Sequence, residues 1–330
     1  MLVVQKRLFM SKLGQPKITV LMPCFNSELT IRESIESVLQ QTYTDFELLV
    51  INDGSRDTSG EIIEAFARAD MRVRVVSQEN QGIVSALNSG VELSRGSYIA
   101  RLDSDDIAEA QRLERQIGFM ESHPALALVG SFYTEIPSGV THRMPTGSRQ
   151  IREFLRHRGN AFVHSSVMMK RDICKALGGY RGFLPHAEDY DLWTRIADNY
   201  QVENIPEYLV RYRRQSTSIS FLHLEQQAIS ALAVRRLSAL RRNGGEEPDL
   251  GTGPITIETL TKLGCSLETV CEDMIRWIEW NGSTIFEPGA EQDIKVKFER
   301  LVEKYYRLRQ DHMTRELAER LARSGSSAYF

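Results

Sequence analysis

The sequence predicts an α/β fold: a Rossmann-like, mostly parallel sheet flanked by helices, with a mainly α-helical C-terminal extension. Three observations carry this. Short apolar, β-rich runs alternate with amphipathic helical segments through the first hundred residues, the order that builds a parallel sheet with helices on both faces. A dense acidic group, Asp103, Asp105 and Asp106, follows directly on the fourth such run, and ligands of open α/β sheets bind beyond the carboxyl ends of the strands. After about residue 220, leucine, glutamine and arginine dominate and the strand pattern stops.

Residues 17–22 are the first strand-like run, and Ile31, Ile35, Val38 and Leu39 then mark one face of a helix over 28–40. Residues 46–51 are a second buried run; Asp57 or Thr58 offers an N-cap for a helix carrying Ile62, Ile63 and Phe66. Residues 73–76 give a third strand, Ile83, Ala86, Leu87 and Val91 another helix, and residues 98–102 the fourth strand. A helix over 110–122 and a strand over 125–133 follow, then a strand-like stretch at 162–169. The next helix is stopped by Gly178-Gly179, since glycine tolerates the positive φ of a helix C-terminus. Residues 190–197 read as helix and 208–213 as strand. The expected organisation is a loose arm at 1–15, one domain over 16–220 and a helical region over 221–330, with a Gly- and Pro-containing linker near 243–254.

Composition narrows the class. The 330 residues are 42% hydrophobic and 26% charged, the balance of a globular protein. A net charge of −3 gives no support to nucleic-acid binding. Cys24, Cys174, Cys265 and Cys271 are scattered, which reads as reduced thiols in a cytoplasmic protein rather than a zinc site or disulfide frame. No apolar stretch approaches the length of a membrane span, and the apolar run within residues 1–10 is too short for a signal peptide.

The acidic cluster has two readings. It is a solvated turn capping the next helix, or a site where a hard divalent cation relieves the repulsion; such ions take one or two carboxylates plus substrate phosphates. Three further segments join it. The first strand ends in Pro23-Cys24-Phe25-Asn26, the second in Asn52-Asp53-Gly54-Ser55, and Ala187-Glu188-Asp189-Tyr190-Asp191 opens a later helix. Together with Gln40-Gln41-Thr42, Asn80-Gln81-Gly82, Asn88-Ser89-Gly90, Arg95-Gly96, Arg112-Leu113-Glu114-Arg115-Gln116 and Gly178-Gly179-Tyr180, the region from Pro16 to about residue 220 resembles the family 2 inverting glycosyltransferases, whose fold is called GT-A.

The resemblance implies a metal-dependent transfer of sugar from a nucleotide-diphosphate sugar, with a uridine diphosphate donor favoured, to a glycan or lipid-linked acceptor. Pro23, Asn26, Asp53, Gly82, Asp103, Ser104, Asp105 and His164 fall at donor-binding positions. Asp103 and Asp105 match the metal-binding pair for Mg²⁺ or Mn²⁺, with Asp106 a further ligand or ribose contact. Asp189 matches the catalytic base, with Glu188 beside it. Asn52 stands where relatives carry an aspartate, and Gln215 where they carry a histidine after the Tyr212-Arg213 pair. Arg211, Arg213 and Arg214 lie where some relatives hold pyrophosphate. His164 meets the diphosphate or metal, or is a hydrogen-bonded structural residue; Trp193 reads as core. A sugar-nucleotide-forming nucleotidyltransferase would show a glycine-rich loop after the first strand, which Pro23-Cys24-Phe25-Asn26 lacks. A non-catalytic sugar-nucleotide binder would have no need of Asp189.

In the C-terminal region, Arg235, Arg236, Arg241 and Arg242 accompany an apolar face within residues 226–242. That segment either lies peripherally on the inner face of a membrane or docks on the rest of the protein. Leu301, Val302, Tyr305, Tyr306, Leu308, Leu317 and Leu321 suggest a packed helix or a homodimer seam.

Overall fold

The computed structural model describes residues 15–214, 223–251, 253–285, 299–313 and 315. They form two compact units: the described residues up to Arg181 with Glu188–Arg214, and Gly182–Ala187 with the described residues after 214.

The first unit opens with β1 (Ile18–Cys24), β2 (Phe46–Asp53), β3 (Val73–Gln78) and β4 (Tyr98–Arg101). Between them lie α1 (Ile31–Leu39), α2 (Ser59–Ala69) and α3 (Ile83–Leu93). Every residue of β1 and β2 is buried, as expected for parallel strands covered on both faces. β1 pairs in parallel with β2 and β4, and β2 with β3. Ile18, Val20 and Met22 pack with Ile31, Ile35 and Val38 into the core on one side.

The later elements are β5 (Ile107–Ala108), α4 (Arg112–Ser122), β6 (Leu126–Ile136), β7 (Thr141–His142), α5 (Ser148–His157), β8 (Met168–Lys170), α6 (Arg171–Ala176), α7 (Glu188–Asn199) and β9 (Gln201–Arg213). The sheet runs β3-β2-β1-β4-β8-β6-β9-β5, with β7 beside β6. Its second half is mixed: β8 is antiparallel to β4 and β6, while β6 and β9 are parallel.

Three local differences from the predicted elements have physical reasons. β9 begins at Gln201 rather than 208, because Glu203, Asn204 and Pro206 interrupt the apolar pattern that marks a strand. Asn204 is nonetheless buried, its amide donating to the Pro145 and Ala161 carbonyls at 2.8 and 3.0 Å. Residues 164–166 form a 3₁₀ turn, not strand. Helix α5, for which no element was predicted, buries only Ile151 and Leu155, too sparse a stripe to stand out in sequence.

The Arg95-Gly96 turn explains itself. Arg95 N–H donates to Glu47 at 2.8 Å and Gly96 N–H to Thr19 Oγ1 at 2.9 Å. A Cβ on Gly96 would sit 2.4 Å from the Thr19 backbone nitrogen, where no flexible side chain can give way. Gly96→Ala is therefore expected to cost about 1–3 kcal/mol by overpacking, read as a drop of several degrees in melting temperature; an unchanged Tm refutes the close approach.

In the second unit, α8 (Leu224–Arg242) packs on α9 (Ile257–Lys262) and α10 (Leu267–Ile285), and a further helix, α11, covers 299–313. Ala228, Ala231, Leu232, Val234 and Leu237 of α8 are buried. Three of the four arginines on the basic face make contacts within the unit: Arg236 donates to the Leu263 carbonyl, Arg241 pairs with Glu247, and Arg242 donates to the Ser238 carbonyl. Part of the face suggested as a dimer seam makes contacts within the unit, while Tyr306 on it is exposed. Tyr305 is fully buried with its hydroxyl on Glu225 at 2.8 Å, and Arg309 pairs with Glu272 at 2.6 Å; Leu317 and Leu321 lie outside the described residues. Phe183 accepts at its carbonyl from Ile255 N–H at 3.1 Å, and His186 stacks on His223 with ring centroids 4.3 Å apart. Among the described residues no helix is long and apolar enough to cross a membrane.

Candidate active site

Parallel pairing of β1, β2 and β4 brings the loops after all three to one edge of the sheet. Short polar side chains lace these loops together. Asn26, held at φ 50°, accepts at Oδ1 from Arg56 N–H at 2.9 Å, and its own N–H donates to Ser55 Oγ at 3.1 Å. Ser27 N–H donates to Ser59 Oγ at 2.7 Å, and the Ser27 and Ser104 hydroxyls meet at 2.8 Å. Thr30 donates to the Ser104 carbonyl at 3.0 Å. Asn52 Oδ1 accepts from Ser55 N–H at 3.1 Å, giving this residue a loop-closing task.

Asp53 is 3% exposed. Its Oδ1 accepts from Gln78 Nε2 at 2.7 Å and Gln81 N–H at 3.0 Å, and its Oδ2 from Gly82 N–H at 2.8 Å. A carboxylate has about four lone-pair sites, so Asp53 closes the turn at Gly82, where φ is 85°, and keeps about one acceptor position for a ligand.

The acidic loop is divided in its duties. Arg101, fully buried at the end of β4, pairs with Asp103 Oδ1. Ser165 donates to Asp103 Oδ2 at 2.8 Å and accepts from Asp103 N–H at 3.0 Å. Burial pushes the Asp103 carboxyl up, but Arg101, His164 and these hydrogen bonds outweigh it and hold the group below its ordinary value. Asp105 is pushed up to about 6 by burial and then by the charge of Asp103. Asp106 is fully buried, and its Oδ1 accepts from Arg213 N–H at 2.7 Å; burial and its two acidic neighbours push it well up. Among the described residues no three His, Cys, Asp or Glu side chains converge as a metal cage. Asp106, expected as a further ligand or ribose contact, braces the loop against β9 through its Oδ1.

Asp103 and Asp105 still suit a divalent ion. Both offer hard oxygen ligands, and the repulsion between them, seen in the raised Asp105, is what a cation would relieve. Two carboxylates plus donor phosphates is a usual Mg²⁺ complement.

The three arginines at and just past the end of β9 each make a contact with a neighbouring segment. Arg211 pairs with Glu109 at 2.9 Å; Arg213 donates to the Asp105 carbonyl at 2.8 Å and to Glu33 at 2.6 Å; Arg214 pairs with Glu135 at 3.4 Å. They brace loops, and Gln215 lies outside the described residues.

The second acidic group opens α7. Glu188 is 9% exposed and pushed up to about 8 by burial, then by Asp189. Asp189 is raised to about 6, burial again leading; hydrogen bonds from Tyr190 N–H and Asn160 favour its ionised form, while the Asp103 charge opposes it. Those hydrogen bonds are 2.6 Å from Tyr190 N–H to Oδ1 and 2.7 Å from Asn160 Nδ2 to Oδ2. Two adjacent carboxyls thus differ in proton affinity, the arrangement that separates a neutral acid from a working base. His164 is pushed down to about 3 by burial and by Arg101, so it is neutral, and one ring nitrogen lies 3.1 Å from the Tyr180 hydroxyl. Trp193 is fully buried among Phe162, His164 and Tyr180, as expected of core.

The remaining motifs hold the frame. Arg112, fully buried, donates to the Arg101 carbonyl at 2.7 Å, and Gln116 to the Ser166 carbonyl at 2.7 Å. Gln41 donates to the Glu109 carbonyl and accepts from Leu113 N–H, at 2.8 and 3.0 Å. Asn88 exchanges two 2.9 Å hydrogen bonds with the Tyr180 backbone. Buried Arg195 pairs with Asp191 at 2.7 Å and donates to the Leu177 and Gly179 carbonyls, which ties the Gly178-Gly179 turn to the helix bearing Asp189. Sequence reasoning missed Arg101 and Asn160. Arg101 was legible, because a charge inside a buried run must be paired; Asn160 carried no signal.

Residues 19–178 match Glycosyl transferase family 2. The chain is 31% identical over 253 residues to the amylovoran biosynthesis glycosyltransferase AmsE of Erwinia amylovora, covering 74% of this chain and 93% of that protein. Among solved structures it is similar to S. aureus TarS in complex with UDP-GlcNAc, at TM-score 0.59 and 14% identity, covering 88% of this chain and 81% of that one. It is also similar to the mannosyltransferase PcManGT of Pyrobaculum calidifontis in complex with GDP-Man and Mn²⁺, at TM-score 0.54 and 16% identity, covering 92% and 90%.

Proposed function

Because the chain belongs to glycosyl transferase family 2, we propose that it moves a glycosyl group, with inversion, from a uridine diphosphate sugar to a hydroxyl of a glycan or lipid-linked acceptor in polysaccharide or glycoconjugate synthesis. The observation that carries this reading is the pair of acidic groups on separate elements, Asp103 and Asp105 after β4 and Glu188 with Asp189 at the head of α7, their proton affinities set apart.

Asp189 takes the proton from the attacking acceptor hydroxyl, the task of a positioned carboxylate. Glu188 keeps its own proton near neutrality and does not compete. Asp103 and Asp105 would hold Mg²⁺ or Mn²⁺, which when bound would stabilise negative charge on the departing diphosphate without a proton. Pro23, Asn26, Asp53, Gly82 and Ser104 frame the nucleoside, and His164, being neutral, meets the donor as a hydrogen-bonding group. The choice of uridine is supported by the acceptor position left on Asp53 and by the UDP-GlcNAc bound to TarS; the GDP-Man of PcManGT marks the alternative base. Four unpaired cysteines suit the reducing cytoplasm.

Nucleoside diphosphate sugars are to be screened with Mn²⁺ and Mg²⁺ for metal-dependent binding and slow donor hydrolysis, with uridine donors expected to lead. A chain that binds no nucleotide sugar under either metal contradicts the proposal. With a donor in hand, turnover is expected to climb about tenfold per pH unit below about 6, as Asp189 loses its proton, and to level above it. Glu188→Gln, which mimics the protonated side chain, keeps most of that turnover at neutral pH; a profile flat through this range removes Asp189 from the role.

A further inference from the structure

We propose that Asn160 is the positioning residue of the base, holding the Asp189 carboxylate ionised and turned toward the acceptor. This rests on the reading of Asp189 as the base, and goes beyond it by assigning how that base is prepared.

The contact is directional. Asn160 Nδ2 donates to Asp189 Oδ2 at 2.7 Å, while Asn160 Oδ1 accepts from Phe162 N–H at 3.2 Å. The flipped amide would set its oxygen against the carboxylate and its NH₂ against a backbone N–H, so only one orientation satisfies both neighbours. The other carboxylate oxygen accepts from Tyr190 N–H at 2.6 Å. With one donor on each oxygen the carboxylate cannot rotate without losing a hydrogen bond, and lone pairs remain for the incoming hydroxyl.

The segment that presents Asn160 is itself anchored. Asn204, 1% exposed on β9, donates to the Ala161 carbonyl at 3.0 Å and to the Pro145 carbonyl at 2.8 Å. The Tyr190 hydroxyl donates to the Leu155 carbonyl at the end of α5. Strand and helix thus fix the amide on both sides of the base. An amide also has the right chemistry, since it donates to the ionised carboxylate and has no proton to surrender at neutral pH. The other ionisable groups that act on Asp189 are Glu188 on its own helix, Asp103 and Arg101 from β4 and its loop, and Tyr180 after α6. Among these groups only Arg101 carries positive charge, and Arg101 is paired with Asp103.

Asn160→Ala and the near-isosteric Asn160→Asp are compared with wild type. Asn160→Asp keeps the acceptor for Phe162 N–H and so preserves the segment. Asn160→Ala is expected to lower kcat by about ten- to a hundredfold, the range for losing a hydrogen bond to a charged group, with donor KM within about twofold. The rising limb of the kcat profile moves to higher pH in Asn160→Ala. It moves further in Asn160→Asp, where two neighbouring carboxyls share a proton. A residue serving only the fold would lower Tm or the yield of active protein without moving the limb.

A second readout needs no activity. A carboxyl whose folded pKa is raised loses stability as pH climbs from its unfolded value toward the folded one. Asn160→Ala should extend the falling part of the Tm–pH curve to higher pH, and the extension should vanish in an Asp189→Asn background. If wild type transfers no sugar but these curves behave so, the clamp stands and the glycosyl-transfer reading falls. If wild type transfers sugar while neither limb nor Tm curve moves, Asn160 is not the clamp.

Discussion

Asp189→Asn is expected to leave donor affinity within a few-fold of wild type and to lower turnover to acceptor by about 10² or more, the contribution of a positioned base. The substitution keeps the shape of the side chain and its contact with Tyr190 N–H while removing the group that accepts the proton. Among the described residues, none in the loops after β1, β2 and β4 makes a hydrogen bond to this side chain; its donors are Asn160 and the backbone of its own helix. Binding and catalysis should therefore separate, with calorimetry on the donor measuring the first and acceptor turnover the second. Glu188→Gln is the control. Were it inactive while Asp189→Asn transferred sugar at nearly the wild-type rate, the base would be Glu188. Full activity in both variants would leave the segment as a helix N-terminus whose acids only offset the dipole.

Asp105→Asn is expected to abolish most metal-dependent donor binding while leaving the fold intact. Among the described residues no other side chain is hydrogen-bonded to the Asp105 carboxylate, and burial and Asp103 already disfavour its charge. Removing that charge weakens a cation's hold and leaves the diphosphate uncompensated. Asp103→Asn should weaken donor binding to a similar degree and also lower Tm, because it strands the fully buried Arg101, and a buried charge without its partner is costly. Calorimetry with uridine diphosphate, with Mn²⁺ and with chelator, reads both. Equal binding by wild type in chelator would take the metal out of the reaction.

The two central strands β1 and β2 were legible because every residue in them is buried, so both faces are written in apolar residues, as in residues 46–51. The end of β9 was legible from the β-favouring residues Tyr208, Leu209, Val210 and Tyr212, and its beginning was not. Asn204 sits there as a buried polar residue whose partners, Pro145 and Ala161, are distant in sequence, and no local pattern announces such a pairing. The acidic clusters were visible as composition and order. Their internal division was hidden, since the difference between Asp105 and Asp106 is which one meets the backbone of Arg213. Asn160 was invisible for a related reason: an amide beside Gly159 reads as loop until the helix carrying Asp189 is folded against it.

The chain passes from the sheet-bearing unit into the helical one twice, once after residue 214 and once for the six residues Gly182–Ala187, which return as the helix that begins with Glu188 and Asp189. Those six residues are held among their own unit by Ile255 on Phe183 and by His223 on His186. A truncation at 214 would delete the partners of the peptide leading into the base, so shortened forms should be judged by turnover as well as by yield. An exchanged C-terminal unit would lose these partners unless it arrived with a matching 182–187 segment.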